Sequence, residues 1–127
     1  MNQVSEARRA TPAIAGSERV ETLMLEGELG SKELEQVCEE LSRRLQRGVR
    51  QVVVDFGDVA HLDYRGVKPL MARGEAFRRA GGDIKLSGLS AYVAAIFRAA
   101  GAHDRFEMYP HMNDARAAFA LMRAPFV

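Results

Sequence analysis

The sequence predicts an α/β fold: a single domain with a mostly parallel sheet of four or five strands and about four crossover helices. Short apolar runs, too brief for helices, alternate with longer stretches whose apolar residues recur every three or four positions. Such alternation calls for parallel strands joined by right-handed helical crossovers. The chain has 127 residues, 47% hydrophobic with only 4 Pro, which suffices for one core but scarcely for two.

Residues 1–15 are small and polar, and are expected to form a flexible arm with a weak edge strand near Pro12 to Ile14, where a Pro is tolerated. The domain proper is expected over 16–127. Val20 to Leu25 reads as a strand. Gly30-Ser31 then punctuates the chain, with Ser31 the expected N-cap. Leu34, Val37, Cys38, Leu41 and Leu45 form the stripe of an amphipathic helix that Gly48 ends. Its early Glu33 and Glu35 and late Arg43, Arg44 and Arg47 suit the helix dipole.

Gln51 to Phe56 holds Val52-Val53-Val54, apolar toward both faces, as in a central strand. A loop with Gly57-Asp58 and Asp63 is expected next, then a helix from about Gly66 with Val67, Leu70, Met71 and Phe77 inward. Pro69 fits within that helix's first turn. After Ala80-Gly81-Gly82, Asp83 to Leu86 reads as a strand. Ser90 caps a helix with Val93, Ile96 and Phe97 inward and Gly101 at its end. Phe106 to Met108 reads as a last strand, and a final helix runs from about Asn113 to Met122.

Charge and chemistry narrow the function. The 18 Lys and Arg nearly cancel the 17 Asp and Glu, against a nucleic-acid binder. The basic set Arg65, Lys68, Arg73, Arg78 and Arg79 reads mainly as a solvated helix surface. A single Cys excludes an internal disulfide framework and a Cys-rich zinc site. Cys38 lies on the inward stripe, as an inert thiol would.

No apolar run approaches the roughly 20 residues that span a bilayer. The polar first ten residues lack a signal-peptide core. A cytoplasmic protein with no direct membrane insertion is therefore expected.

Asp55, Asp58, His61 and Asp63 could be imagined as a cation or acid–base cluster, but strand-end and capping roles account for two of them. His103, Asp104 and His111 match no established zinc spacing. Gly81-Gly82 follows a helix instead of opening one, the wrong order for a phosphate cradle. No catalytic residue, metal or cofactor is expected.

Val52 to Gly66, VVVDFGDVAHLDYRG, resembles the strand–loop–helix signature of STAS domains, the family of anti-sigma-factor antagonists and of sulfate-transporter tails. Leu25-Glu26-Gly27-Glu28-Leu29 resembles the family's Gly-Glu-Leu segment, and Leu86 to Val93 its strand-to-helix joint. Ala99-Ala100-Gly101-Ala102 and Tyr109-Pro110 extend the similarity, which covers about Val20 to Met122 in order.

The resemblance implies a non-enzymatic interaction module whose partner is an anti-sigma kinase of the histidine-kinase-like ATPase fold. One departure stands out. Where switchable members carry a phosphorylatable Ser or Thr after the motif's Asp, this chain has Tyr64, followed by Arg65. A phenol displaces the oxygen by several ångströms, so Ser/Thr-type phosphoswitching at this position is not expected.

Asp63, Tyr64, Arg65 and Gly66 are the expected partner-binding residues. Asp63 would cap the helix, Tyr64 and Arg65 are hot-spot residue types, and Gly66 would admit a partner's backbone. Gly30, Ser31, Asp58 and Lys68 are the expected neighbouring surface. Two further protein partners fit a STAS domain: an ABC lipid-transport complex or a stressosome-like scaffold. A homodimer through an exposed edge strand is a further possibility. A small-ligand carrier using the loops at the strand C-terminal ends is the competing class.

Overall fold

The computed structural model describes residues 19–123; the expected arm and the strand near Pro12 to Ile14 lie outside them. Strand β1 (Val20–Leu29) leads to helix α1 (Ser31–Gln46) and strand β2 (Gln51–Leu62). A 3-10 turn (Tyr64–Gly66) opens helix α2 (Val67–Arg79), followed by β3 (Asp83–Ser87) and α3 (Ala91–Ala99). The short β4 (Met108–Tyr109) and α4 (Met112–Arg123) complete the fold. The described residues form one sheet in the order β1-β2-β3-β4, with every neighbouring pair parallel.

Helices cover both faces, which is why the central strand carries no polar alternation. Val52, Val54, Ile84 and Leu86 share one core cluster with Leu34, Leu41, Leu70, Phe77, Val93 and Phe97 of α1, α2 and α3. Val53 points to the opposite face and packs on Ala115 and Phe119 of α4.

That second face also buries a cation. The Lys85 side chain is fully enclosed, with Nζ 2.6 Å from Glu107 Oε1, 3.5 Å from Asp83 Oδ2 and 4.6 Å from the Phe119 ring centre. A buried ammonium is tolerated only when its donors find partners, and here two carboxylates and an aromatic face supply them. The Tyr109 hydroxyl donates to the same Glu107 oxygen at 2.6 Å, and this bond is the main reason its pKa is pushed up to about 12.

Several boundaries differ from the sequence expectation. Ser31 is exposed at the first helical position, and Gly30 occupies the N-cap in extended conformation. The Gly30 N–H donates to Glu33 Oε1 at 2.9 Å, so the carboxylate three residues on replaces a capping hydroxyl. Ser90 does cap α3, accepting from Val93 N at 3.1 Å. Phe106 precedes the last strand and joins the core edge-on to Phe97, with ring centres 6.2 Å apart.

The largest difference is the length of β1 and β2. Both continue past β3, and Gly57-Asp58 lie within β2 instead of a loop. Two register shifts, between Met24 and Glu26 and between Gly27 and Glu28, absorb two extra residues of β2 against β1.

Candidate functional site

The extended β1–β2 pair delivers two chain ends side by side. Leu29 pairs with Leu62, and the Asp63 N–H donates to the Leu29 carbonyl at 2.9 Å, where β2 passes into the 3-10 turn. Asp63 occupies the turn's N-cap, and its Oδ1 accepts from Arg65 N at 2.9 Å. The Arg65 guanidinium folds back onto the same carboxylate, with Nη2 2.6 Å from Oδ2 and Nε 3.1 Å from Oδ1. The Arg65 side-chain hydrogen bonds, with its backbone N–H second, bring the Asp63 pKa down to about 2. The turn is thus locked around an ionised carboxylate, and Tyr64 stands out from it, 59% exposed.

Gly66 does the opposite of what the sequence suggested. It is buried against α1, where an added Cβ would lie 2.4 Å from Leu34 Cδ1 and 2.8 Å from Leu34 Cβ. Its lack of a side chain lets the turn seat on α1; it offers no backbone to a partner.

Between the turn and α3 lies a groove of about 730 Å³. Ile96 and Ala99 supply its accessible apolar surface above the buried Leu29 and Leu62, and Tyr64 and Tyr92 flank it. His61 Nδ1 and the Tyr92 hydroxyl are 2.6 Å apart, and their rings stack with centres 5.6 Å apart at 28°. This contact joins the end of β2 to the start of α3. Glu28, Glu33 and Asp63 give the groove an acidic rim.

Of the expected site residues, Asp63, Tyr64 and Gly30 line this groove, while Arg65 supports it through Asp63. Ser31 and Lys68 are exposed on the first turns of α1 and α2, outside the lining. Asp58 sits farther back along β2, paired in register with Glu26. Sequence reasoning weighed His61 only as part of a cation or acid–base cluster and gave Tyr92 no role. The His and Tyr are 31 residues apart, and only the adjacency of β2 and α3 joins them.

Other candidate groups have structural tasks. Asp55 accepts from Ser87 Oγ at 2.7 Å and Gly57 N at 3.2 Å, linking β2 to β3. Among the described residues, no three His, Cys, Asp or Glu side chains converge as a metal site. Cys38 is buried, and burial pushes its thiol pKa up. The basic residues of α2 are dispersed: Arg73 donates to the Cys38 carbonyl, and Arg78 pairs with Asp83 and Glu75. No described helix is long and apolar enough to cross a membrane.

A sequence profile described as "Mlab, STAS domain" matches residues 13–110, more than half of the chain. The chain belongs to the STAS domain family. BtrV of Bordetella bronchiseptica, assigned as an anti-sigma factor antagonist, is 27% identical over 95 residues, covering 75% of this chain and 82% of that protein. The fold matches the anti-sigma factor antagonist SpoIIAA in its unphosphorylated form, with a TM-score of 0.70 at 21% identity over 80% of this chain and 90% of that one. It also matches the STAS domain of a SulP transporter from Vibrio cholerae, with a TM-score of 0.64 at 19% identity over 98% of both chains. This STAS domain is thus an anti-sigma-factor-antagonist-like module, of a kind that generally works without catalysis.

Proposed function

We propose that this STAS domain binds an anti-sigma kinase of the histidine-kinase-like ATPase fold, or a related regulator, and does so without Ser/Thr phosphoswitching. The observation that carries the reading is Tyr64. It stands 59% exposed on a turn locked by the Asp63–Arg65 pair, at the position where switchable STAS domains carry their hydroxyl. A rigid, preorganised aromatic loses little entropy on docking, and Tyr and Arg are enriched at interface hot spots. Antagonism would work by mass action: occupying the kinase surface releases its sigma factor, and this chain performs no chemistry.

The test uses the purified chain and a purified anti-sigma kinase from the same genome, with titration calorimetry in the presence of ADP or ATP. Binding by wild type, and at least tenfold weaker binding by Tyr64→Ala, are expected. Intact mass after incubation with ATP should show no gain of about 80 Da, the mass of one phosphoryl group. A gain on Tyr64 would overturn the absence of switching, and failure of the two proteins to associate would overturn the partner.

A second reading has one observation behind it. The matching profile carries the MlaB description, which favours the STAS subunit of an ABC lipid-transport complex. Copurification with the transporter's ATPase subunit in place of a kinase would select it. The same Tyr64 surface would then serve a different partner.

A further inference from the structure

Among the described residues, four large hydrophobic side chains are exposed: Met24, Tyr64, Tyr92 and Leu121. Two of the four flank one groove, and an exposed aromatic pair over an apolar floor marks an interaction site. The groove's charge is one-sided. Glu28, Glu33 and Asp63 line it, and among the described residues no Lys or Arg does. Asp63 is neutralised locally by Arg65, and Glu33 gives one oxygen to the Gly30 N–H. Among the described residues neither Glu33 nor Glu28 has a salt-bridge partner, and Glu28, exposed and paired across the ladder with His61, is the one of the two that accepts no capping N–H.

We propose that this groove receives a short amphipathic segment of the protein partner. Its apolar side chains would pack on Ile96 and Ala99 between Tyr64 and Tyr92, and a Lys or Arg at its edge would meet Glu28. The idea rests on the interaction-module reading above and adds the chemistry of the partner's contact. Helix-in-groove recognition uses this division of labour, with apolar anchors for affinity and charge at the rim for register. Charge complementarity decides among occupants: a basic edge is attracted to this rim, whereas an acidic segment or an anionic lipid headgroup is repelled. Tyr92 becomes a binding residue in its own right, and its stacked contact with His61 fixes the wall that it forms.

The probe is a fluorescein-labelled amphipathic helix of Leu and Lys, with a Leu/Glu peptide of the same pattern as control. Fluorescence anisotropy gives the affinity, and amide shift mapping on the full chain locates the site. The Leu/Lys peptide should shift amides around His61, Leu62, Tyr64 and Tyr92, and the Leu/Glu peptide should not bind. Tyr92→Ala, at an exposed position, should weaken binding about tenfold or more. Glu28→Gln should weaken it about threefold at roughly 50 mM salt, with the difference shrinking near 500 mM.

Tyr92→Phe separates the packing surface from the hydroxyl and should bind nearly as wild type. Equal binding of both peptides, shifts elsewhere on the fold, or no binding would overturn the proposal. Cosedimentation with phosphatidylglycerol vesicles that Tyr92→Ala abolishes would overturn it in favour of a lipid. A kinase that binds Tyr92→Ala undiminished yet loses Tyr64→Ala would sink the groove and leave the partner standing.

Discussion

From Gln51 to Asp55, strand β2 is paired on both sides, with β1 and with β3, and Val52, Val53 and Val54 are wholly buried. Beyond Asp55 its only strand partner among the described residues is β1, the register slips twice, and Gly57, Asp58, Ala60 and His61 are exposed. One continuous strand is therefore two structures. The first part resembles a central strand of any buried parallel sheet, held by packing on two faces. The second is a bulged ribbon whose far end carries the 3-10 turn and one wall of the groove. Anchored and projecting segments need different residues, and the chain changes its pattern where β3 stops.

The sharpest way to break this comparison is to remove packing at the junction. Phe56 is 1% exposed and meets Phe97 edge-on with ring centres 5.6 Å apart. Phe56→Ala should cost about 3–5 kcal/mol in urea unfolding. A loss below about 1 kcal/mol would mean that the ribbon is not anchored through this contact. Tyr64→Ala, at the other end of the same connection, should stay within about 0.5 kcal/mol of wild type.

Gly66→Ala is expected to come next, at about 1–3 kcal/mol, because its Cβ would overlap the Leu34 side chain. In a double-mutant cycle with Leu34→Ala the losses should fall somewhat short of additive, since the truncation removes the Cδ1 and Cγ overlaps although the Leu34 Cβ contact at 2.8 Å remains. Strict additivity would show that the turn does not seat on α1.

Acid stability probes the anchored region from the α4 side. The hydrogen bond from Lys85, followed by that from Tyr109, holds the Glu107 pKa below its ordinary value. A carboxyl lowered in the folded state stabilises the fold above its unfolded pKa, about 4.3. That contribution fades as pH falls through the lower folded value. Glu107→Gln should therefore flatten the acid limb of a stability–pH profile below about pH 5. An unchanged limb would place the acid sensitivity elsewhere.

The smallest effect belongs to the projecting turn. The Asp63 carboxyl should titrate with a midpoint of about 2 by carbon-detected NMR. In Arg65→Ala the midpoint should return toward the ordinary aspartate range near 3.9. The sign is the same as for Glu107: the contribution is present above the unfolded value and is lost as pH falls through the folded one. Since the Asp63–Arg65 pair lies at the surface, with Arg65 largely exposed, global stability should scarcely change, and the readout is the order of the turn.

Much of this was legible in the chain. The stripe Leu34, Val37, Cys38, Leu41 and Leu45 gave α1, and Val52-Val53-Val54 gave the central strand, because burial on one face or two leaves periods of 3.6 or none. Gly57-Asp58 misled, since turn-forming residues inside a strand look like its end; bulges against β1 accommodate them here. Phe106 misled in the same way, as an apolar residue that the core claims without a ladder.

Local pattern made the α/β class and the mostly parallel sheet readable from the chain, and the family resemblance picked out the Asp63–Gly66 motif. The tertiary structure decided what that motif borders. Gly66 faces Leu34 of α1, His61 stacks on Tyr92 of α3, and Glu28 flanks them from β1. Such adjacencies join residues about 30 positions apart, through the packing of separate elements. No local pattern encodes them, because each side chain's own segment would form equally well without the other.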